Sequence, residues 1–268
     1  MKKLIVFTDL DGSLLDHNHY DWQAAKPAIE KLHSLNYPLI FNSSKTYAEM
    51  LYLSKQMNNH HPFIFENGSS IALPKNYFSS QTEIQEEIIH FGTSYKNIIK
   101  ILSKLRKQYN YNFIGFNDTG IEDIVSMTNL SNSGAAMAKQ RHSSEPIKWL
   151  DSDSAFNEFC QHLKAHQLSI VKGGRFHSVM GHCNKGEAIS WLLTQYTEKE
   201  PETDWLTTAL GDSQNDISML QRVTYPVLIK NPAVNVADTE KINNLITTKQ
   251  PGPEGWNTAV LGLITLIQ

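Results

Sequence analysis

Cysteine is scarce: Cys160 and Cys183 are the two in 268 residues, and they form no C-x-x-C pair. A disulfide scaffold and a thiolate zinc centre are thereby excluded, and a reducing compartment fits. Long apolar runs are missing too. The first apolar stretch, residues 4–7, is too short for a signal peptide, and no run approaches the roughly 18 residues of a spanning helix. A soluble, cytoplasmic protein with no membrane partner is expected. Excess positive charge is also lacking, since 24 Lys and Arg against 27 Asp and Glu give a net charge of −3. That balance argues against nucleic acid as a partner. No G-x-G-x-x-G, G-x-x-x-x-G-K-[ST] or G-x-S-x-G pattern occurs, so dinucleotide, P-loop and serine-hydrolase readings have no anchor.

What is present is an α/β rhythm. Residues 4–7, 38–41 and 62–65 are short apolar runs of the kind that form strands buried on both faces, and helical spacing fills 21–35 and 46–57 between them. Alternation of this kind predicts a doubly wound, mainly parallel, Rossmann-like sheet. The rhythm loosens through the middle and returns at 185–196 (helix), 205–210 (strand), 213–221 (helix), 225–229 (strand) and 257–267 (helix). The expectation is a discontinuous core domain, residues 1–82 and 183–268, with an inserted α+β cap domain at 83–182. Residues 250–255, rich in Pro and Gly, read as a loop.

Acidic residues follow the strand-like runs. Asp9 and Asp11 end the first, and Asp212 and Asp216 follow residues 205–210 in Gly-Asp-Ser-Gln-Asn-Asp. Ligands in open α/β sheets bind at the carboxyl ends of strands. Three or four carboxylates meeting there repel one another unless a cation lies between them, and hard oxygen donors with open water positions suit Mg²⁺. Each feature also has a plainer explanation. Asp11–Gly12 can be a hairpin turn, Asp212 and Ser43 helix N-caps, and Lys185 a solvated surface lysine. His17, His19, His60 and His61 have no partners at ligand spacing and read as loop residues.

In combination, Asp9-Leu-Asp11-Gly12-Ser13, Ser43, Lys185 and Gly211-Asp212-Ser-Gln-Asn215-Asp216 resemble the four motifs of the haloacid dehalogenase-like phosphohydrolases, in order and over nearly the whole chain. Ser13 stands where that family more often has Thr, and the hydroxyl is kept. Within it, the mannosyl-3-phosphoglycerate phosphatase family is resembled at residues 41–49, at Glu66-Asn67-Gly68, at 138–146, at Gly173-Gly174-Arg175-Phe-His177 and at 252–257. His142 departs from the larger acidic residue expected there.

The resemblance implies Asp9 as nucleophile and Asp11 as acid and base. Ser43 and Lys185 would stabilise phosphate charge. Mg²⁺ would be held by Asp9, Asp212 and Asp11, the last through its backbone carbonyl, with Asn215 and Asp216 holding its waters. The substrate, a phosphorylated sugar-glycerate, would meet Ser44, Lys45, Glu66, Arg141, Ser144, Glu145, Gly174, Arg175 and His177. Arg175 would take the glycerate carboxylate, because a guanidinium grips a carboxylate bidentately. The implied reaction yields mannosylglycerate, a compatible solute. Glucosyl-3-phosphoglycerate, another sugar phosphate, a phosphosugar mutase and a non-catalytic binding module are the competing readings.

Overall fold

A computed structural model of the chain describes residues 2–17, 19–78, 87–173, 175–231 and 239–268. The first half of the core is β1 (Lys2–Thr8), α1 (Lys26–Ser34), β2 (Leu39–Asn42), α2 (Tyr47–Gln56), β3 (Phe63–Phe65), β4 (Ser70–Leu73) and β5 (Glu87–His90). The middle comprises α3 (Tyr95–Tyr109), β6 (Phe113–Gly115), α4 (Ile121–Thr128), α5 (Asn132–Ala138), β7 (Ser144–Trp149), α6 (Asp153–Ala165), β8 (Leu168–Lys172) and β9 (His177–Gly181). The core resumes with α7 (Lys185–Lys199), β10 (Asp204–Gly211), α8 (Ile217–Leu220), β11 (Tyr225–Leu228), β12 (Ile246–Thr247) and α9 (Gly252–Ile267).

The alternation of β1 divides the core into two layers. Leu4 and Val6 join the apolar cluster under α1 and α9, with Ala28, Leu32, Trp256 and Val260. Ile5 and Phe7 point the other way, into the cluster under α7 and α8, with Ile189, Leu192 and Met219. A strand with apolar residues at both parities has to be covered on both faces, which is the doubly wound arrangement. Eight strands run in the order β12-β11-β10-β1-β2-β3-β4-β5. They are parallel up to β3, and β4 and β5 are antiparallel. From β1 the chain winds outward through β2 and β3, then returns on the other side as β10 and β11. The crevice between β1 and β10 is therefore the topological switch point, where such sheets bind ligands.

A second, antiparallel sheet, β6-β7-β9-β8, is backed by α3 and α6. Ile98, Leu102, Phe113, Ile147, Phe159 and Val179 fill that interface. The expected boundary at 82/83 lies outside the described residues. β5, assigned by the sequence to the insert, is the last strand of the core sheet, with Ser70 opposite His90 and Leu73 opposite Glu87. Its four residues carry no signal of which sheet they join. α4 and α5 were not foreseen, being short and weakly patterned.

α9 starts at Gly252, inside the run read as a loop, and Pro occupies its first turn. Pro is compatible with a helix start, where its missing N–H loses no bond, and tertiary packing decides the rest. That packing centres on Trp256, which is fully buried and donates its indole N–H to Thr8 Oγ1 at 2.9 Å. Among the described residues no helix is long and apolar enough to cross a membrane. Removing the largest buried side chain should be felt globally: Trp256→Ala is expected to lower stability by about 3–5 kcal/mol in urea unfolding. A loss below about 1 kcal/mol would show that α9 does not support β1.

Candidate active site

Asp9 extends β1 by one residue, its amide donating to Leu210 O of β10 at 2.8 Å. Asp212 extends β10. Because the strands are neighbours and parallel, both side chains arrive at the same edge. One oxygen from each of Asp9, Asp212 and Asp216 lies within 4.8 Å of the others, and all three residues are buried. Lys185 Nζ sits among them, 2.6 Å from Asp9 Oδ1 and 2.6 Å from Asp216 Oδ1. Its side chain is 1% exposed, so the surface-lysine reading is excluded. Asn184 places it by capping α7, its side chain accepting from the Gly186 and Glu187 amides.

One ammonium faces three buried carboxylates. Burial first, and then repulsion from Asp216, hold the Asp9 carboxyl well above its ordinary range, against the pull of Lys185. The same two causes push Asp212 up to about 6. Lys185 stays charged: burial pulls its pKa down, but the Asp216 and Asp9 carboxylates outweigh it. The excess negative charge is relieved by a proton or by a cation, and an all-oxygen set suits Mg²⁺. Asp216 is the most committed member. Its Oδ2 accepts from the amides of Asp212 and Ser213 and from Ser213 Oγ, each at 3.0 Å, while Oδ1 takes Lys185. Asp9 and Asp212 are thus the donors with capacity for an ion. Asp212 is not a helix cap; Ser213 takes that position.

The rim around this floor comes from three loops. Gly12 has φ +82, and a Cβ there would strike His17 and Asp212 Oδ2, so the turn after Asp11 requires glycine. His17, read as a loop residue, stands in the cleft with Nε2 3.2 Å from Asp212 Oδ2. Asn231, which also escaped the sequence reading, donates to the same oxygen at 2.8 Å. It follows β11 at the same sheet edge, a position the strand-end rule points to. After β2 the N-cap of α2 is Thr46, in a capping box with Glu49, so Ser43 is not spent on capping. Ser43 is buried, and its amide donates to Ile64 O. Lys45 Nζ is 2.9 Å from Asp11 Oδ1 and 4.0 Å from Glu49 Oε1. Burial pulls its pKa down, but these two carboxylates raise it on balance.

A cleft of about 690 Å³ opens above the carboxylates. Of the residues expected to act, Asp9, Asp11, Asp212, Asn215, Ser44, Lys45, Arg141 and Arg175 line it. Ser43, Lys185 and Asp216 are buried and do not line it. Gly174 is outside the described residues.

Four expected substrate contacts are not brought to the cleft. Glu66 and Ser144 are used up in the joint between the two bodies. The Glu66 carboxylate is fully buried and accepts from the His142 amide at 2.7 Å, the Ser143 amide at 2.9 Å and Ser144 Oγ at 2.7 Å. Burial pushes its pKa up, yet the His142 side chain, Arg141, Ser144 Oγ and the His142 amide hold it below the ordinary range. Glu145 and His177 are on the wrong face of the second sheet. Pairing sets Pro146 opposite Ser178, and both line the cleft. Their neighbours Glu145, Ile147, Val179 and His177 therefore face the helices. Glu145 accepts from Tyr95 Oη at 2.9 Å, and the His177 ring packs on Phe156 at 4.7 Å.

Comparison with known proteins agrees with this architecture. A family model described as haloacid dehalogenase-like hydrolase matches residues 6–249. A glucosyl-3-phosphoglycerate/mannosyl-3-phosphoglycerate phosphatase of Methanococcoides burtonii is 37% identical over 267 residues, 98% of this chain and 97% of its own. A protein of the same description from Persephonella marina is 32% identical over 271 residues, 99% and 98% of the two chains. A solved structure from Thermoplasma acidophilum shares the fold, with TM-score 0.69 at 16% identity over 98% of this chain and 99% of that one.

The Asp212 carboxyl, raised in the folded protein, makes a contribution to stability that is complete below about pH 4 and lost as pH rises to about 6. Asp212→Asn removes that titration. Measured by urea unfolding without metal, the variant's stability relative to wild type is expected to grow between about pH 4 and pH 6 and then level off. A difference that does not change with pH would contradict the raised pKa. Added Mg²⁺ is expected to raise the melting temperature of wild type above pH 6, and that of the variant less.

Proposed function

The chain belongs to the haloacid dehalogenase-like hydrolases and is an enzyme of the phosphatase type, and we propose that it hydrolyses mannosyl-3-phosphoglycerate or its glucosyl counterpart to the glycosylglycerate and phosphate. The observation that carries this reading is the convergence of Asp9, Asp212 and Lys185 at one switch point, with a carboxylate nucleophile, a cation site and a fixed ammonium within one hydrogen-bonded cluster.

Asp9 attacks phosphorus in line. Its carboxylate oxygen forms the new P–O bond, and the ester P–O bond breaks toward the glycerate oxygen. Asp11 sits two residues along, its side chain 38% exposed to the cleft, and gives its proton to that leaving oxygen. Water then attacks the aspartyl-phosphate, passes a proton back to Asp11, and restores the Asp9 carboxylate as phosphate leaves. Mg²⁺ held by Asp9, Asp212 and the Asp11 carbonyl, with Asn215 and Asp216 holding its waters, would neutralise phosphoryl charge and keep the two anions together. Lys185 steadies Asp9 through both steps. Ser43, at the end of β2, and the backbone beyond it receive a phosphoryl oxygen.

Substrate selection belongs to the second sheet. Arg175 offers its guanidinium to the glycerate carboxylate. Arg141 is tied to the core, its Nη1 donating to Ser44 O at 2.9 Å, and adds positive charge where the two bodies meet. Ser44 and Lys45 complete the anionic end of the site.

Asp9→Asn is expected to lower phosphate release from the glycosyl ester by roughly 10⁴-fold or more, as loss of a nucleophile does elsewhere. Chelation of divalent ions should abolish release and Mg²⁺ should restore it. Full activity of Asp9→Asn would remove the assignment. Asp11→Asn is expected to slow turnover by roughly 10²–10⁴-fold, and less for an aryl phosphate whose leaving group needs no proton. Equal losses on both esters would count against Asp11 as the acid.

A further inference from the structure

The wall of the cleft facing the carboxylates has a character that phosphoryl transfer does not use. Chemistry on a phosphate calls for charge and fixed dipoles, yet Phe176 and Leu130, partly exposed, line the cleft here in front of the buried Phe116 and Ala138. Phe116 and Phe176 form an edge-to-face pair, ring centroids 5.2 Å apart and planes at 81°. Phe116 is held rigidly. It opens the turn Phe116–Asp118, in which the Asn117 amide donates to Glu145 Oε1 at 2.8 Å and the Gly115 amide to Asp118 Oδ2 at 2.9 Å. Arg106 grips Asp118 from outside. The buried Glu145, which is turned away from the cleft, thereby acts as the support of an aromatic that is turned toward it. Phe176 is half-buried, in the turn between β8 and β9, where its carbonyl accepts from the Gly173 amide at 2.9 Å.

The apolar surface that Phe176 and Leu130 leave open in a polar cleft is unfavourable unless a ligand covers it. The ligand must be apolar on one face and polar at its edge, because Ser178 and the charged Arg175 line the same cleft. A pyranose ring has that form, with C–H groups on its faces and hydroxyls around its rim. We infer that Phe176, packed against Phe116, is the platform on which the sugar ring of the substrate lies, while the phosphate points down to Asp9. The inference rests on the reading that the substrate is a glycosyl-3-phosphoglycerate. Phe176 is then a specificity-determining residue of the reaction. Such a platform contacts the C–H face of the ring, so one hydroxyl's orientation matters little to it. Mannosyl and glucosyl esters should depend on it alike.

The test compares kcat/KM for the glycosyl ester with that for 3-phosphoglycerate, which keeps the carboxylate and phosphate but has no sugar. In Phe176→Ala the ratio is expected to fall roughly 10-fold or more, by the same factor for both sugars and mainly through KM. Phe176→Leu, which preserves apolar bulk without a ring face, should also lose selectivity, and Phe176→Tyr should keep it. A preference for the glycosyl ester that persists in both Phe176→Ala and Phe176→Leu overturns the platform alone. A wild-type enzyme with no preference for the glycosyl ester overturns the substrate reading and the platform together.

Discussion

The site depends on one buried ammonium. Lys185 Nζ bridges Asp9 and Asp216 at 2.6 Å each, and without it three buried carboxylates would face one another with no ammonium among them. Breaking a buried ion pair by removing one partner typically costs about 3–5 kcal/mol, since the remaining charge is left uncompensated. The lysine arrives from far along the chain, at the first turn of α7, just after the second sheet has been completed. Its position is checked from the strand side too: Asn42, the last residue of β2, donates through its side chain to Lys185 O at 3.2 Å. The end of the second sheet and the place of the lysine are therefore tied through a single N-terminal turn.

A second coupling runs through Glu66–Asn67–Gly68. All three have positive φ, 49, 59 and 91, a conformation that costs energy for the first two. The strain yields reach in three directions. Glu66 collects the start of β7, while the Asn67 amide donates to Ser43 O. Asn67 Oδ1 accepts from Asn215 at 3.1 Å, and Gly68 packs so closely on Asn184 and Lys185 that a Cβ would overlap their backbone. One turn thus touches the loop after β2, the loop after β10, the lysine and the second sheet. Thr46 Oγ1 to Met137 O and Arg141 to Ser44 O add further ties between the bodies. The geometry above Asp9 is consequently set by the same contacts that shape its floor.

The core and its carboxylates were legible in the sequence because their signals are local. A β-branched run followed at once by Asp-x-Asp needs only the knowledge that parallel strands end at a common edge. The same logic located Asp212, and applied to β11 it would have reached Asn231. The second sheet was not legible in this way. Whether Glu145 or Pro146 faces the cleft depends on a one-residue parity in β7, fixed by pairing with β9 rather than by anything in Ser144-Glu145-Pro146 itself. Glu66 and His177 failed for related reasons: the first is satisfied by backbone 76 to 77 residues away, the second by a ring on α6. Residues 250–255 misled in the opposite sense, because Pro and Gly allow a helix start as readily as a loop and Trp256 burial decides between them.

A net charge of −3 conceals how charge is distributed across the cleft. Asp9, Asp11 and Asp212 line it from the loops of the first sheet, with Lys45 beside Asp11, while the charged residues that line it from the second sheet's segments, Arg141, Lys172 and Arg175, are all basic. The carboxylates and these three basic residues come from two different sheets. Substitutions in the second sheet can therefore change the charge that faces the carboxylate cluster without disturbing the cluster, and the parity of β7 and β9 determines which positions are open to that change.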